Sequence, residues 1–337
     1  MFQTEPIKFL QSFSTEWLTD FLSFVSQLGY SSFYIPVLIA ITFGISFRKG
    51  FLLVQMMVWV GLLTLLLKNL FALPRPVDVD SGVRLIKDNL PNPTPLTGMG
   101  GQGFWDLPDR EAIIRGSYGL PSGHVSGTAT FWGGLAFLFR PVAIKVIGLI
   151  MIILMPISRM YLGRHFVADV LGGFLVAAVL LAVVHVLFIK PEARGRLLAL
   201  VRLRPSLNLR FVGLLSVLLA APIALLALSP FVEPEDAGRL FGLNAAFLAL
   251  AVVGLPDDAA PWFRRIGRVV LAFALFLATD GLVGLAVETT AVADSFAWIE
   301  FPAAAIPVFF ALWGGVSGGR RLGLYSEKEY DETEEVG

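Results

Sequence analysis

The chain has 337 residues, 56% hydrophobic and 15% charged, with 26 basic and 26 acidic side chains and no cysteine, and its mean hydropathy is +0.74. A soluble globular protein is nearer a quarter charged, so this is the composition of a membrane protein. Disulfides, thiolate metal sites and a cysteine nucleophile are excluded, and the balanced charge offers nothing to suggest a nucleic-acid partner.

Residues 7–28 are amphipathic rather than uniformly apolar. Leu10, Phe13, Trp17, Phe21, Leu22, Val25 and Leu28 recur at helical spacing, with Glu16 and Asp20 between them. Such a helix is expected to lie in the membrane interface. It has no basic start or small-residue cleavage site, so it is not read as a cleaved signal peptide. Nine apolar stretches follow, at about 30–47, 51–72, 122–139, 142–157, 166–189, 211–230, 239–256, 266–287 and 297–316. Each approaches the roughly 20 residues that cross about 30 Å of hydrocarbon, where the backbone must satisfy its own hydrogen bonds and is therefore helical. The expected fold is an all-α polytopic membrane helical bundle of about nine transmembrane helices, with an amino-terminal interfacial helix. The domain expectation is residues 1–29 for that helix, 30–190 for a core carrying the motifs, 191–320 for four further spans, and 321–337 for an acidic cytoplasmic tail.

Nine crossings place alternate loops on opposite sides. One side collects 16 basic residues, among them Arg194, Arg196, Arg202, Arg204, Arg264, Arg265, Arg320 and Arg321; the other collects nine, including Lys68, Arg75 and Arg159. The positive-inside bias makes the first side cytoplasmic. The expected location is a bacterial-type plasma membrane, with the amino terminus outside and the carboxyl tail inside.

Three segments on the outer side carry chemistry. Six residues separate Lys68 from Arg75-Pro76; Pro121-Ser122-Gly123-His124 follows; then come Ser158-Arg159, His165 and Asp169. On a helix, His165 and Asp169 share a face one turn apart. The carboxylate there accepts one ring N–H and holds the other nitrogen, unprotonated, toward an electrophile. Alone, the pair equally fits an exposed contact at a helix start. Ser122 and Gly123 open a helix whose free amides and dipole favour an anion, and His124 there is placed to act as a general acid or merely as an interfacial histidine. Lys68, Arg75 and Arg159 suit phosphate oxygens, although snorkelling accounts for any one of them. Arg115 and Arg164 fit snorkelling better. His185, 20 residues beyond His165 and about 30 Å away at 1.5 Å rise per residue, serves as a control. Asp280, in mid-span, is read as either a buried hydrogen bond or a substrate-path residue. The Pro- and Gly-rich stretch 73–121, with Phe104-Trp105, reads as an irregular loop over the site.

Together these segments resemble the type 2 phosphatidic acid phosphatase superfamily, in its membrane phosphatase branch. That superfamily also holds lipid phosphate phosphatases, glucose-6-phosphatase and the soluble vanadium haloperoxidases. The resemblance covers about 50–190 and rests on Lys68, Arg75, Pro76, Pro121, Ser122, Gly123, His124, Ser158, Arg159, His165 and Asp169. It implies that His165 is the nucleophile of a phosphohistidine intermediate with Asp169 as its partner, and that His124 is the acid and later the base. It further implies that Lys68, Arg75, Arg159, Ser122 and the Gly123 amide bind phosphate, with no metal or other cofactor. Four spans after residue 210 depart from the usual bacterial members, and nine spans with an outer amino terminus resemble glucose-6-phosphatase. The expected substrate is a lipid phosphate or isoprenoid pyrophosphate, met among membrane lipids. A sugar phosphate, a phosphotransferase reaction and a transporter of phosphorylated compounds stand as alternatives.

Overall fold

The computed structural model describes residues 2–86, 118–189, 209–228, 232–289 and 299–325. The described residues are helical, with no strand among them. In chain order the helices are α1 (Glu5–Ser12), α2 (Glu16–Gln27), α3 (Ser31–Ile39, continued as π-helix over Ala40–Ile45), α4 (Phe47–Phe71) and the short α5 (Pro76–Val79). Then come α6 (Gly123–Leu138), α7 (Val142–Tyr161) and α8 (Val167–Val184, ending in π-helix His185–Ile189). The rest are α9 (Leu209–Leu228), α10 (Pro234–Val253), α11 (Trp262–Thr289), α12 (Glu300–Phe309, continued by a π turn at Phe310–Gly314) and α13 (Gly315–Arg321).

Among the described residues six helices are long and apolar enough to cross a membrane, or seven if α2 and Ser31–Ile45, bent by 51° at their junction, form one broken span. The fold is thus a polytopic helical bundle, with helix wherever the sequence expects a span. The expected crossing at 122–139 is α6, a helix of 16 residues, about 24 Å long and short of the hydrocarbon thickness. It buries Ser126, Thr128 and Thr130, so its polar residues face protein.

The described residues fall into two compact units. One takes in 1–34, 55–196 and 226–233; the other takes in 35–54, 197–225 and 234–337. In the first, α6 packs against both α7 and α8, and α1 and α2 lie on α7. The amino-terminal stretch, expected as one helix, is two, separated at Phe13–Thr15. Its apolar residues divide between two faces. Leu22 packs with Tyr161 and Leu162, and Val25 with Met151, Met155, Val125 and Val170. Phe9, Phe13, Trp17, Phe21 and Phe24 stay exposed. Gln11 fastens the hairpin: its Nε2 donates to the carbonyls of Arg84 (2.6 Å) and Tyr161 (2.9 Å), and its Oε1 accepts from the Arg84 amide (3.0 Å).

In the second unit α10 lies on α12, and α11 packs with α12, α13 and the π turn of α3. A Cβ on Gly238 would stand 2.1 Å from the Phe301 carbonyl oxygen, and one on Gly242 would stand 2.2 Å from that of Ala305. Helices this close need small residues at the contact, the usual device inside membranes. Asp280 is exposed on α11. The expected loop over 87–117, with Arg115, and the expected tail from 326 lie outside the described residues.

Replacing Gly242 with Leu forces α10 and α12 apart. Overpacking costs about 1–3 kcal/mol, so the thermal unfolding midpoint of the purified protein in detergent should fall by several degrees. An unchanged midpoint would show that the helices do not meet at this carbonyl.

Candidate active site

Each motif residue stands at a helix end, and the local sequence explains why the helices end there. α4 stops after Phe71 because Ala72 takes a left-handed conformation, φ +46°, a strain of about 1 kcal/mol for a residue with a Cβ. Leu73 and Pro74 then turn the chain so that Arg75 follows Lys68 closely. Lys68, in the last turn of α4, donates to the carbonyls of Tyr118 and Gly119. The Gly119 amide in turn donates to Leu73 (2.8 Å). The end of α4 and the approach to α6 are therefore laced together. Asp78 accepts from the Arg75 amide at 3.0 Å, while the Arg75 side chain is buried and Nη1 donates to the carbonyl of Arg164 at 3.4 Å.

Arg159 occupies the last turn of α7. That helix ends at Gly163, whose φ of +75° suits glycine and whose Cβ, were there one, would meet the Arg84 carbonyl at 2.4 Å. The reversed chain delivers His165 just ahead of α8, so the histidine is not on the helix as the i,i+4 spacing suggests. Asp169, the third residue of α8, bends its carboxylate back over the helix start. Oδ2 accepts from the Phe166 amide at 2.9 Å and lies 3.3 Å from His165 Nδ1. This is the carboxylate half of a capping box, with the imidazole added as a second donor. The main chain of the same residue does a second job: the Asp169 carbonyl accepts from the Ser122 amide at 2.9 Å, fixing the start of α6 against α8.

Ser122 precedes α6 at the N-cap position, yet its hydroxyl makes no cap bond. Ser122 Oγ, His124 Nε2 and Arg159 Nε are buried with no hydrogen-bond partner, a state shared elsewhere by the hydroxyls of Ser23, Thr130 and Tyr325. Orphaned buried polar atoms are rare, and these three, on two of the motif segments, are polar groups that a ligand could pair. The carboxylates whose charge reaches Lys68 and Arg75 are Asp169 and Asp78. Against them stand Lys68, Arg75, Arg159 and Arg164, so the cup has an excess of buried positive charge, which is costly until an anion enters. Arg164, which the sequence reading set aside, belongs here: it is 5% exposed, and burial and the neighbouring Arg75 charge lower it to about 10.

His165 is 2% exposed. Burial first, then the charges of Arg75, Lys68, Arg159 and His124, hold it well below the usual histidine value. Arg75, Lys68, Arg159 and His124 are among the residues the sequence nominates, and their charges bear on this one imidazole. At neutral pH His165 is uncharged. With Nδ1–H donated to Asp169, the lone pair sits on Nε2. His185 is elsewhere, against Phe137 at a ring distance of 5.9 Å.

Three contributors escape the motif reading because they lie in the amino-terminal hairpin. Ser26 Oγ accepts from Arg159 Nη1 at 2.6 Å. The rings of Tyr30 and His124 meet edge to face, centroids 4.5 Å apart. A Cβ on Gly29 would fall 2.4 Å from His124 Cδ2. The available signal was the Leu28-Gly29-Tyr30 break at the end of the amphipathic stretch.

Residues 49–192 match the family model described as the PAP2 superfamily. Phosphatidylglycerophosphatase B of Bacillus subtilis (strain 168) is 28% identical over 167 residues, covering 47% of this chain and 69% of that protein. No solved structure matches.

The depressed His165 sets a direction for stability against pH. Below its usual value near 6.5 the unfolded chain binds a proton that the folded chain refuses, so stability falls as pH drops through 6.5. The slope is up to about 1 kcal/mol per pH unit. Replacing His165 with Gln should flatten chemical-denaturation stability between pH 7 and 5 relative to the parent; parallel curves would mean that His165 titrates normally in the folded protein.

Proposed function

Because this chain belongs, through residues 49–192, to the PAP2 superfamily, we propose that it is an integral membrane phosphatase. Its reading is hydrolysis of a lipid phosphate through a phosphohistidine on His165, at the non-cytoplasmic face. The observation that carries the reaction is the neutral His165 imidazole, held by Asp169 (3.3 Å) within a ring of buried cations.

Nε2 of His165 attacks phosphorus, forming a P–N bond as the P–O bond to the leaving group breaks. Asp169 keeps the ring in the required tautomer and stabilises the positive charge that develops on it. His124 gives its proton to the departing oxygen. The incoming phosphate supplies the negative charge that lets His124 carry that proton among Lys68, Arg75 and Arg159. Those cations, with Ser122 Oγ and the Gly123 amide, bear on the three equatorial oxygens, where phosphoryl transfer concentrates charge. In the second half, His124 removes a proton from water, the oxygen attacks phosphorus, and the P–N bond breaks to return His165 and free phosphate. Side chains supply all the positive charge this sequence needs, so no metal is invoked.

A lipid substrate is supported by two observations. Phe9, Phe13, Trp17, Phe21 and Phe24 are exposed on α1 and α2, and the same hairpin holds Arg159 and His124. An amphiphile thus has apolar surface beside the cup for its tail and cations for its headgroup. The relative from Bacillus subtilis also carries the name of a lipid phosphatase, which favours a glycerol-linked phosphomonoester over a sugar phosphate. The basic loops on the opposite side of the membrane support the outward orientation.

The test is phosphate release by the purified chain from a panel of lipid, isoprenoid and sugar phosphates. The lipid monoester should be the best substrate, and His165→Ala should lower kcat by about a thousandfold or more, as loss of a covalent nucleophile does. Preference for a soluble sugar phosphate would overturn the substrate, and an active His165→Ala would overturn the nucleophile. Activity should survive a chelator of divalent ions; loss reversed by adding a metal would overturn the side-chain-only chemistry.

A further inference from the structure

The matched segment begins at residue 49, yet the phosphate cup is closed by residues upstream of it. Leu22 accepts from the Ser158 hydroxyl at 2.6 Å, and Ser26 accepts from Arg159 Nη1 at 2.6 Å. The Tyr30 hydroxyl also lies close enough to the Arg159 guanidinium to interact with it electrostatically. The other end of that side chain, its ring, stands 4.5 Å from the His124 ring at 88°. One tyrosine therefore stands against the proposed general acid and within electrostatic reach of a proposed phosphate-binding cation.

We propose that Tyr30 is a positioning residue of the phosphate site: its hydroxyl sets the Arg159 guanidinium and its ring sets the plane of the His124 imidazole. The inference rests on the phosphatase reading and adds to it a part from outside the family segment. A guanidinium at the end of a long side chain must otherwise give up rotamer freedom each time phosphate binds. Ser26 and Tyr30 remove that freedom in advance while leaving Nε of Arg159 unpaired for the ligand. Gly29 serves the same arrangement, since a side chain there would displace the imidazole. Packing alone explains Tyr30 poorly. It is 36% exposed, so it buries little for its size, and both of its ends are placed on groups of the site rather than on the apolar core.

The experiment compares the full purified chain with Tyr30→Phe and Tyr30→Leu. It reads hydrolysis of an aryl phosphate across pH, inhibition by inorganic phosphate, and the thermal midpoint with and without phosphate. Tyr30→Phe keeps the ring and removes the hydroxyl proposed to hold a charged group, so KM and the inhibition constant for phosphate should rise about tenfold, with the smaller effect on kcat. Tyr30→Leu should in addition lower kcat and displace the limb of the pH profile that reports the acid. If Tyr30→Phe leaves both constants at parental values, or if the two variants lose kcat and thermal midpoint in parallel with phosphate inhibition unchanged, Tyr30 is packing only and the proposal fails. A parent inactive on every phosphate would defeat the phosphatase reading instead. The stabilisation by phosphate then still decides the Arg159 arm: its loss in Tyr30→Phe supports the proposal and its retention overturns it.

Discussion

One residue, Asp169, holds the site together from two directions. Its carboxylate orients His165 and closes the first turn of α8 through the Phe166 amide; its main-chain carbonyl holds the Ser122 amide at the start of α6. The proposed nucleophile and the proposed phosphate-binding turn are thereby referenced to the same backbone. In the interior of a membrane protein such bonds are not exchanged with water, so their geometry is held tightly. The surrounding cations act on an imidazole kept neutral by burial, and in the proposed reaction the charge that compensates them is the substrate's own.

The amino-terminal hairpin is best understood as part of this construction. α1 and α2 lie on α7, the helix that ends in Arg159. Ser26, Gly29 and Tyr30 reach the site from there, while the opposite face carries exposed aromatic residues. A single element thus forms a wall of the cup on one side and offers apolar surface on the other.

Much of this was legible in the residues. Lys68, Arg75, Ser122, His124, Arg159, His165 and Asp169 all sit at helix ends, and turn chemistry at Pro121, Gly163 and Asp169 marks those ends in the sequence. What was not legible depends on tertiary contact. Leu22 and Val25 face α7 while Phe21 and Phe24 do not, yet all four are apolar, so periodicity cannot say which face is covered. The same ambiguity hid Tyr30, whose partners lie more than ninety positions downstream. The His165–Asp169 spacing pointed to the right partners through the wrong geometry, because a cap turn and a helical turn bring residues four apart to similar distances. In α6 the apolar composition gave no sign that Ser126, Thr128 and Thr130 would be buried along its 16 residues.

The grip of Gln11 has a practical corollary. Its amide splices three strands of main chain, at Arg84, Tyr161 and its own helix, where Arg84 Nη2 returns a bond to the Gln11 carbonyl at 2.9 Å. Removing the first dozen residues would therefore unlatch the end of α7 and the stretch after α5 at a stroke.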